Sequence, residues 1–94
     1  MMNQRERLAA MRTIYDKSYS ILIEKLKLTR KEHNLTQLQL ANLLGRDQPY
    51  VSKYERSERR LDVIELRNIC KAMNISVIDF LSEFEEQLKT EGLE

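Results

Sequence analysis

The chain has 94 residues, 41% apolar and 33% charged, with two Gly, one Pro and one Cys. This is enough for one compact, mostly helical domain with a modest core, and too little for a second core of comparable size. No apolar run approaches the roughly 18 residues that cross a bilayer, so a cytoplasmic protein with no membrane partner is expected. The net charge of +1 is unevenly spread: residues 1–60 carry 13 Lys or Arg against 7 Asp or Glu, and residues 61–94 carry 3 against 8. An anionic partner would dock on the basic part.

In residues 1–19, Leu8, Met11, Ile14 or Tyr15, and Tyr19 recur every three to four positions, which predicts a helical extension. Residues 20–33 place Leu22, Ile23, Leu26 and Thr29 at helical spacing, and Asn34 is a suitable stop because Asn tolerates the left-handed conformation. Ile21 and Leu28 lie off that face, so the extension or another subunit is expected to cover them. Thr36 and Gln39 have the form of a capping box, Leu40, Ala41, Leu43 and Leu44 follow, and Gly45 suits the position just past the helix end. Asp47 is placed to cap a third helix that tolerates Pro49 in its first turn and turns Val51 and Tyr54 inward.

Asp62 is expected to cap a fourth helix carrying Ile64 or Val63, then Leu66, Ile69, Cys70 and Met73. Ser76 with Asp79 marks a fifth, carrying Val77, Phe80, Leu81, Phe84 and Leu88. Cys70 has no partner for a disulfide within the chain and reads as a small core residue. The fold class expected is therefore all-α: five helices over residues 20–88, an N-terminal helical extension over 1–19 and a short tail over 89–94.

Two short helices joined by a Gly-containing turn, with a small residue where they cross, make a helix-turn-helix. Ala41 follows Gln37 by four and lets the helices approach, Gly45 four later permits the turn, and Val51 and Tyr54 close the wedge. The run Leu35-Thr36-Gln37-Leu38-Gln39-Leu40-Ala41-Asn42-Leu43-Leu44-Gly45, then Gln48-Pro49-Tyr50-Val51-Ser52-Lys53-Tyr54-Glu55-Arg56, resembles the Cro and phage-repressor family, also called XRE-like. Residues 58–66 also resemble a stretch frequent in its compact members.

The resemblance implies a five-helix domain that binds double-stranded operator DNA as a homodimer and regulates transcription, most simply as a repressor. It puts Gln37 on a DNA phosphate at a helix N-terminus, in keeping with the free amides there. It puts Gln48 at the leading base-reading position, where an amide donates and accepts at adenine. Pro49, Ser52 and Lys53 share that exposed face, Pro49 being shaped to meet a thymine methyl. Tyr50, Arg46, Arg56 and Arg59, with Arg60, are expected on phosphates. Arg30 and Glu55 are implied to form an ion pair tying the first helix to the end of the third.

Three positions depart from the pattern: Arg46 replaces an apolar turn residue, Ser57 sits where Gly is common, and Pro49 takes the place of a polar reader.

Catalysis is not expected. The sole His is His33, the sole Cys is Cys70, no metal-ligand spacing is present, and Glu83, Glu85 and Glu86 read as a solvated helix face. No metal or cofactor is expected either. The competing reading is an antitoxin or adaptor of the same fold whose main partner is another protein, bound through the acidic residues 80–93. A DNA reader of this size is expected to work as a two-fold pair with reading helices about 34 Å apart, which implies a palindromic operator.

Overall fold

With neither Gly nor Pro before residue 45, nothing in the backbone interrupts the first helix once it starts. The computed structural model describes residues 1–93, with side chains at all of them except 11–15. It shows five helices: α1 (Gln4–Glu32), α2 (Gln37–Leu43), α3 (Gln48–Glu55), α4 (Val63–Ala72) and α5 (Val77–Thr90), with no strand among the described residues. Residues 4–19 and the first core helix are thus one uninterrupted rod of 29 residues, about 43 Å long at 1.5 Å per residue. Met11, Ile14 and Tyr15, which carried part of the apolar spacing of the extension, lie outside the described side chains.

Each helix starts on a side-chain cap. Asn3, Thr36, Asp47, Asp62 and Ser76 accept from the backbone N–H three residues on, and Asn3–Glu6, Thr36–Gln39 and Asp62–Glu65 are reciprocal capping boxes. Each helix also ends in the same double bond pattern. At the first, Asn34 N–H donates to Lys31 O (3.0 Å) and Leu35 N–H to Arg30 O (3.2 Å), which satisfies carbonyls the helix leaves open. The pattern requires one left-handed residue per helix end, supplied in order by Asn34, Gly45, Ser57, Asn74 and Gly92. Caps at both ends keep α2 and α3 in place even though neither exceeds about two turns.

Leu26, Leu40, Val51, Tyr54, Ile69, Cys70 and Met73 are wholly buried, with Ile23, Ala41, Leu66 and Phe80 around them. They join α1 to α3 and α5, and α2 to α3 and α4. Cys70 is a free, buried core thiol, and burial pushes its pKa up to about 11, which suppresses the thiolate.

One apolar expectation fails, and one of the two covers expected for Leu28 is ruled out. Val63 and Ile64 are 68% and 61% exposed, because the core face of α4 is the Leu66, Ile69, Cys70 and Met73 stripe and its first turn, fixed by the Asp62 cap, projects beyond it. Leu28 remains 49% exposed. The extension cannot cover it, because it continues the axis of α1 instead of folding back.

Ser57 takes φ 59°, where an L side chain crowds the following carbonyl at a cost of about 1–2 kcal/mol. Glycine removes that crowding but adds freedom to the unfolded chain. Ser57→Gly is therefore expected to raise stability by about 0.5–1 kcal/mol, measured by urea unfolding; a destabilised variant contradicts this account.

Candidate nucleic-acid interface

The helix-turn-helix is fastened from behind by one ion pair. Arg30 Nε donates to Glu55 Oε2 (2.7 Å) and Nη2 to Oε1 (3.0 Å), while Nη1 donates to Leu35 O (2.7 Å). The side chains are only 8% and 2% exposed. One guanidinium thus joins the end of α1, the end of α3 and the loop that leads into α2. Hydrogen bonding to Glu55 raises the Arg30 pKa despite burial, so the guanidinium keeps its charge inside the fold.

From Glu55 a chain of amides leads to the surface. Gln37 Nε2 donates to Glu55 Oε1 (2.9 Å), and Gln48 Nε2 donates to Gln37 Oε1 (3.1 Å). An ionised carboxylate only accepts, so Gln37 must turn its NH2 toward Glu55, and its carbonyl is then left to receive Gln48. The buried charge at the end of α3 therefore sets the rotation of both amides. Gln48, exposed at the first position of α3, keeps its carbonyl and one N–H for a further partner.

Gln48, Pro49 and Lys53 are exposed on α3 and Ser52 is half-exposed beside them. The Lys53 side chain makes no hydrogen bond or ion pair among the described residues. Ser52 Oγ accepts from Arg56 Nη1 (2.7 Å), and Arg56 Nη2 also meets Glu58 Oε2 (2.9 Å). Both Arg56 and Glu58 are more than half exposed, so this contact is worth little and yields readily to another anion. Pro49 sits in the first turn of α3, where its missing N–H breaks no bond.

Tyr50 differs from the expectation of a phosphate contact. Its ring is buried, edge-on to Tyr54 at 5.8 Å, and its hydroxyl donates to Glu65 Oε2 (3.0 Å). Burial and then this bond push its pKa up to about 12.

The guanidinium carbons of Arg46 and Arg59 stand 4.5 Å and 4.8 Å from the Tyr50 ring centroid. Arg59 Nη2 pairs with the same Glu65 Oε2 at 2.7 Å. Arg59 is thus largely engaged inside the protein, whereas Arg46 stacks on the ring and stays exposed. Arg60 stacks on Tyr19 at 4.3 Å, and Tyr19 accepts from the Leu61 N–H (3.2 Å).

The Tyr50–Glu65–Arg59 brace was missed in the sequence. Its one trace there is Glu65 as the reciprocal member of the Asp62 cap. Ala41, Val51 and Tyr54 are buried, and Gly45 has φ 66°.

Glu55→Ala strands the Arg30 charge and is expected to cost about 3–5 kcal/mol in denaturant unfolding; a loss under about 1 kcal/mol would show that the pair is not what fastens the motif. Glu65 is held down to about 2, chiefly by the Arg59 hydrogen bond and then by the Asp62 backbone N–H. Because its folded value lies below the unfolded carboxylate value of about 4.3, its contribution is complete above that pH and is lost as pH falls toward about 2. Glu65→Gln is expected to flatten the stability profile across that window, and an unchanged slope contradicts the brace.

The helix-turn-helix family profile matches residues 26–80. The chain is similar to the control protein C.SmaI of Serratia marcescens, 37% identical over 62 residues, covering 66% of this chain and 74% of that one. It is 32% identical over 60 residues to the antitoxin PezA of Streptococcus pneumoniae serotype 4, covering 64% of this chain but only 38% of PezA. Among solved structures, an XRE-family-like protein from Pseudomonas syringae pv. tomato superposes with a TM-score of 0.80 at 40% identity, covering 83% of this chain and 95% of that one. The restriction-modification controller protein C.Esp1396I superposes at 0.70 with 28% identity, covering 76% and 91%. With its capped helix pair, its Gly45 turn and these likenesses together, the chain belongs to the Cro and phage-repressor, or XRE-type, family of helix-turn-helix DNA-binding regulators.

Proposed function

We propose that this protein is a sequence-specific transcriptional regulator, acting as a repressor, that reads a palindromic operator as a homodimer through the major groove. The observation that carries the reading is the relay from Glu55 through Gln37 to Gln48. It presents the outermost amide pre-oriented at the start of an exposed helix, so little rotamer entropy remains to be lost on binding.

Gln48 reads adenine by donating and accepting, Pro49 offers an apolar surface to a thymine methyl, and Ser52 and Lys53 reach the next bases. Gln37 keeps one N–H free for a phosphate beside the N-terminus of α2. Arg46 and Arg56 supply the flanking phosphate contacts. Arg59 and Tyr50 hold α3 against the start of α4, and Arg59 reaches phosphate only with its remaining donors. Similarity to C.SmaI and C.Esp1396I supports a regulator of the controller type. No described helix is long and apolar enough to cross a membrane, in keeping with work on DNA in the cytoplasm.

One observation favours a second reading. PezA carries the name antitoxin, and the acidic residues 80–93 offer a surface for a protein partner, which would make this chain an antitoxin or adaptor.

Selection from random duplex DNA tests both. The wild type is expected to enrich a two-fold-symmetric site. Gln48→Ala and Lys53→Ala should each relax preference at particular positions by about 1–3 kcal/mol, while Gln37→Ala should weaken all sequences. If nothing is enriched, base reading is refuted, and saturation by a protein partner then establishes the adaptor.

A further inference from the structure

The Tyr50 ring carries two guanidiniums, and only one of them is spent. Arg59 Cζ lies 4.8 Å from the ring centroid, and its Nη2 pairs with Glu65 Oε2 at 2.7 Å. Arg46 Cζ lies 4.5 Å from the same centroid, yet its side chain makes no hydrogen bond or ion pair among the described residues. The acids next to these groups in the chain, Asp47 and Asp62, are occupied as helix caps, accepting from the N–H groups of Tyr50 and Glu65. Glu65 thus answers one of two cations, and the donors of Arg46 are left without an anion.

Arg46 is nevertheless fixed at both ends. Its backbone N–H donates to Ala41 O (2.9 Å) in the turn after α2, between Gly45 at φ 66° and the Asp47 cap of α3. Its guanidinium rests on a ring that is itself held, edge-on to Tyr54 and by the hydroxyl bond to Glu65 Oε2 (3.0 Å). A free arginine loses much rotamer freedom when it binds, and a cation held over a ring has lost part of it beforehand.

Successive residues turn by about 100° around a helix, so Gln48 and Tyr50 stand about 200° apart on α3, with exposed Pro49 and Lys53 between them. They mark the two flanks of the exposed face. Gln37 adjoins the Gln48 flank (3.1 Å), and Arg46 adjoins the Tyr50 flank. A helix about 10–12 Å across fills a major groove about 12 Å wide, so each flank faces the phosphates of a different strand.

We propose that Tyr50 positions Arg46 for DNA: the ring holds the guanidinium toward a backbone phosphate of the strand across the major groove from the one Gln37 meets. Tyr50 itself touches no DNA. The contact rests on the groove reading proposed above, yet not on base preference, because a phosphate is offered by any duplex. It also gives a use to Arg46, which stands in place of an apolar turn residue.

Fluorescence anisotropy over a salt series tests this on the site selected by wild type and on a scrambled duplex, with circular dichroism confirming the fold of each variant. Arg46→Ala and Tyr50→Leu should each weaken both duplexes alike and lower the slope of log Kd against log salt by about one. In the Arg46→Ala background, Tyr50→Leu should change Kd by less than about twofold. Tyr50→Phe keeps the ring and should stay within about twofold of wild type. Neutral methylphosphonates placed singly in one half-site should weaken wild type on both strands. Arg46→Ala and Tyr50→Leu should abolish that effect at one shared phosphate, and Gln37→Ala at a phosphate of the other strand.

An unchanged salt slope in Arg46→Ala, or a lost phosphate on the Gln37 strand, overturns the contact. Equal loss on Tyr50→Leu with and without Arg46 overturns the positioning role. A wild type that selects no site but shows the Arg46-dependent slope on the scrambled duplex refutes base reading alone. One that selects a site without that slope refutes only this contact.

Discussion

A charge that enters a protein interior must be met there, and in this fold meeting it also organises the surface. Arg30 has three directions in which to donate. Two go to Glu55 and one to the carbonyl of Leu35, so helices distant in sequence are clamped at one point. Glu55 Oε1 also accepts from Gln37, and the amide order that follows reaches Gln48. The ion pair is weak evidence for net stability, since apolar side chains of similar volume often do as well. What it adds is direction: apolar packing holds α3 against the core but leaves the rotation of an exposed glutamine undecided.

The second fastening works from the other side of α3. Tyr50 leaves the surface face to fill space beside Tyr54, and Glu65 accepts from its hydroxyl while binding Arg59. A carboxylate first needed to cap α4 thereby also secures the side of α3 away from Gln37. Helix α3 is held at both flanks, and the side chains of its exposed face, Gln48, Pro49 and Lys53, are left without internal duties beyond the single Gln48 bond. Rigid support behind a few free side chains is what a reader of base edges requires.

Much of this was legible in the residues. Thr36, Asp47, Asp62 and Ser76 announce helix starts because a side-chain oxygen three residues before an open N–H is a local, sequence-encoded contact. Asn34 and Gly45 announce ends for an equally local reason, and the Gln37, Ala41, Gly45, Val51, Tyr54 spacing identifies the motif. Ser57 adopts the left-handed turn without being glycine, because two bonds at the end of α3 hold it there. Val63 and Ile64 misled because apolar type does not say whether the neighbouring element extends far enough to cover them. Tyr50 misled because a tyrosine in an amphipathic helix suits a core edge and a phosphate equally well.

The sequence by itself determined the helices, their caps, the turn and the membership of the family, all of which depend on contacts within a few residues or on a short recurrent pattern. Only the tertiary structure decided which way Gln37 and Gln48 face and that Tyr50 and Arg59 brace Glu65. Those outcomes depend on groups up to 25 residues apart in the chain, brought together by packing, and no local propensity encodes such a meeting.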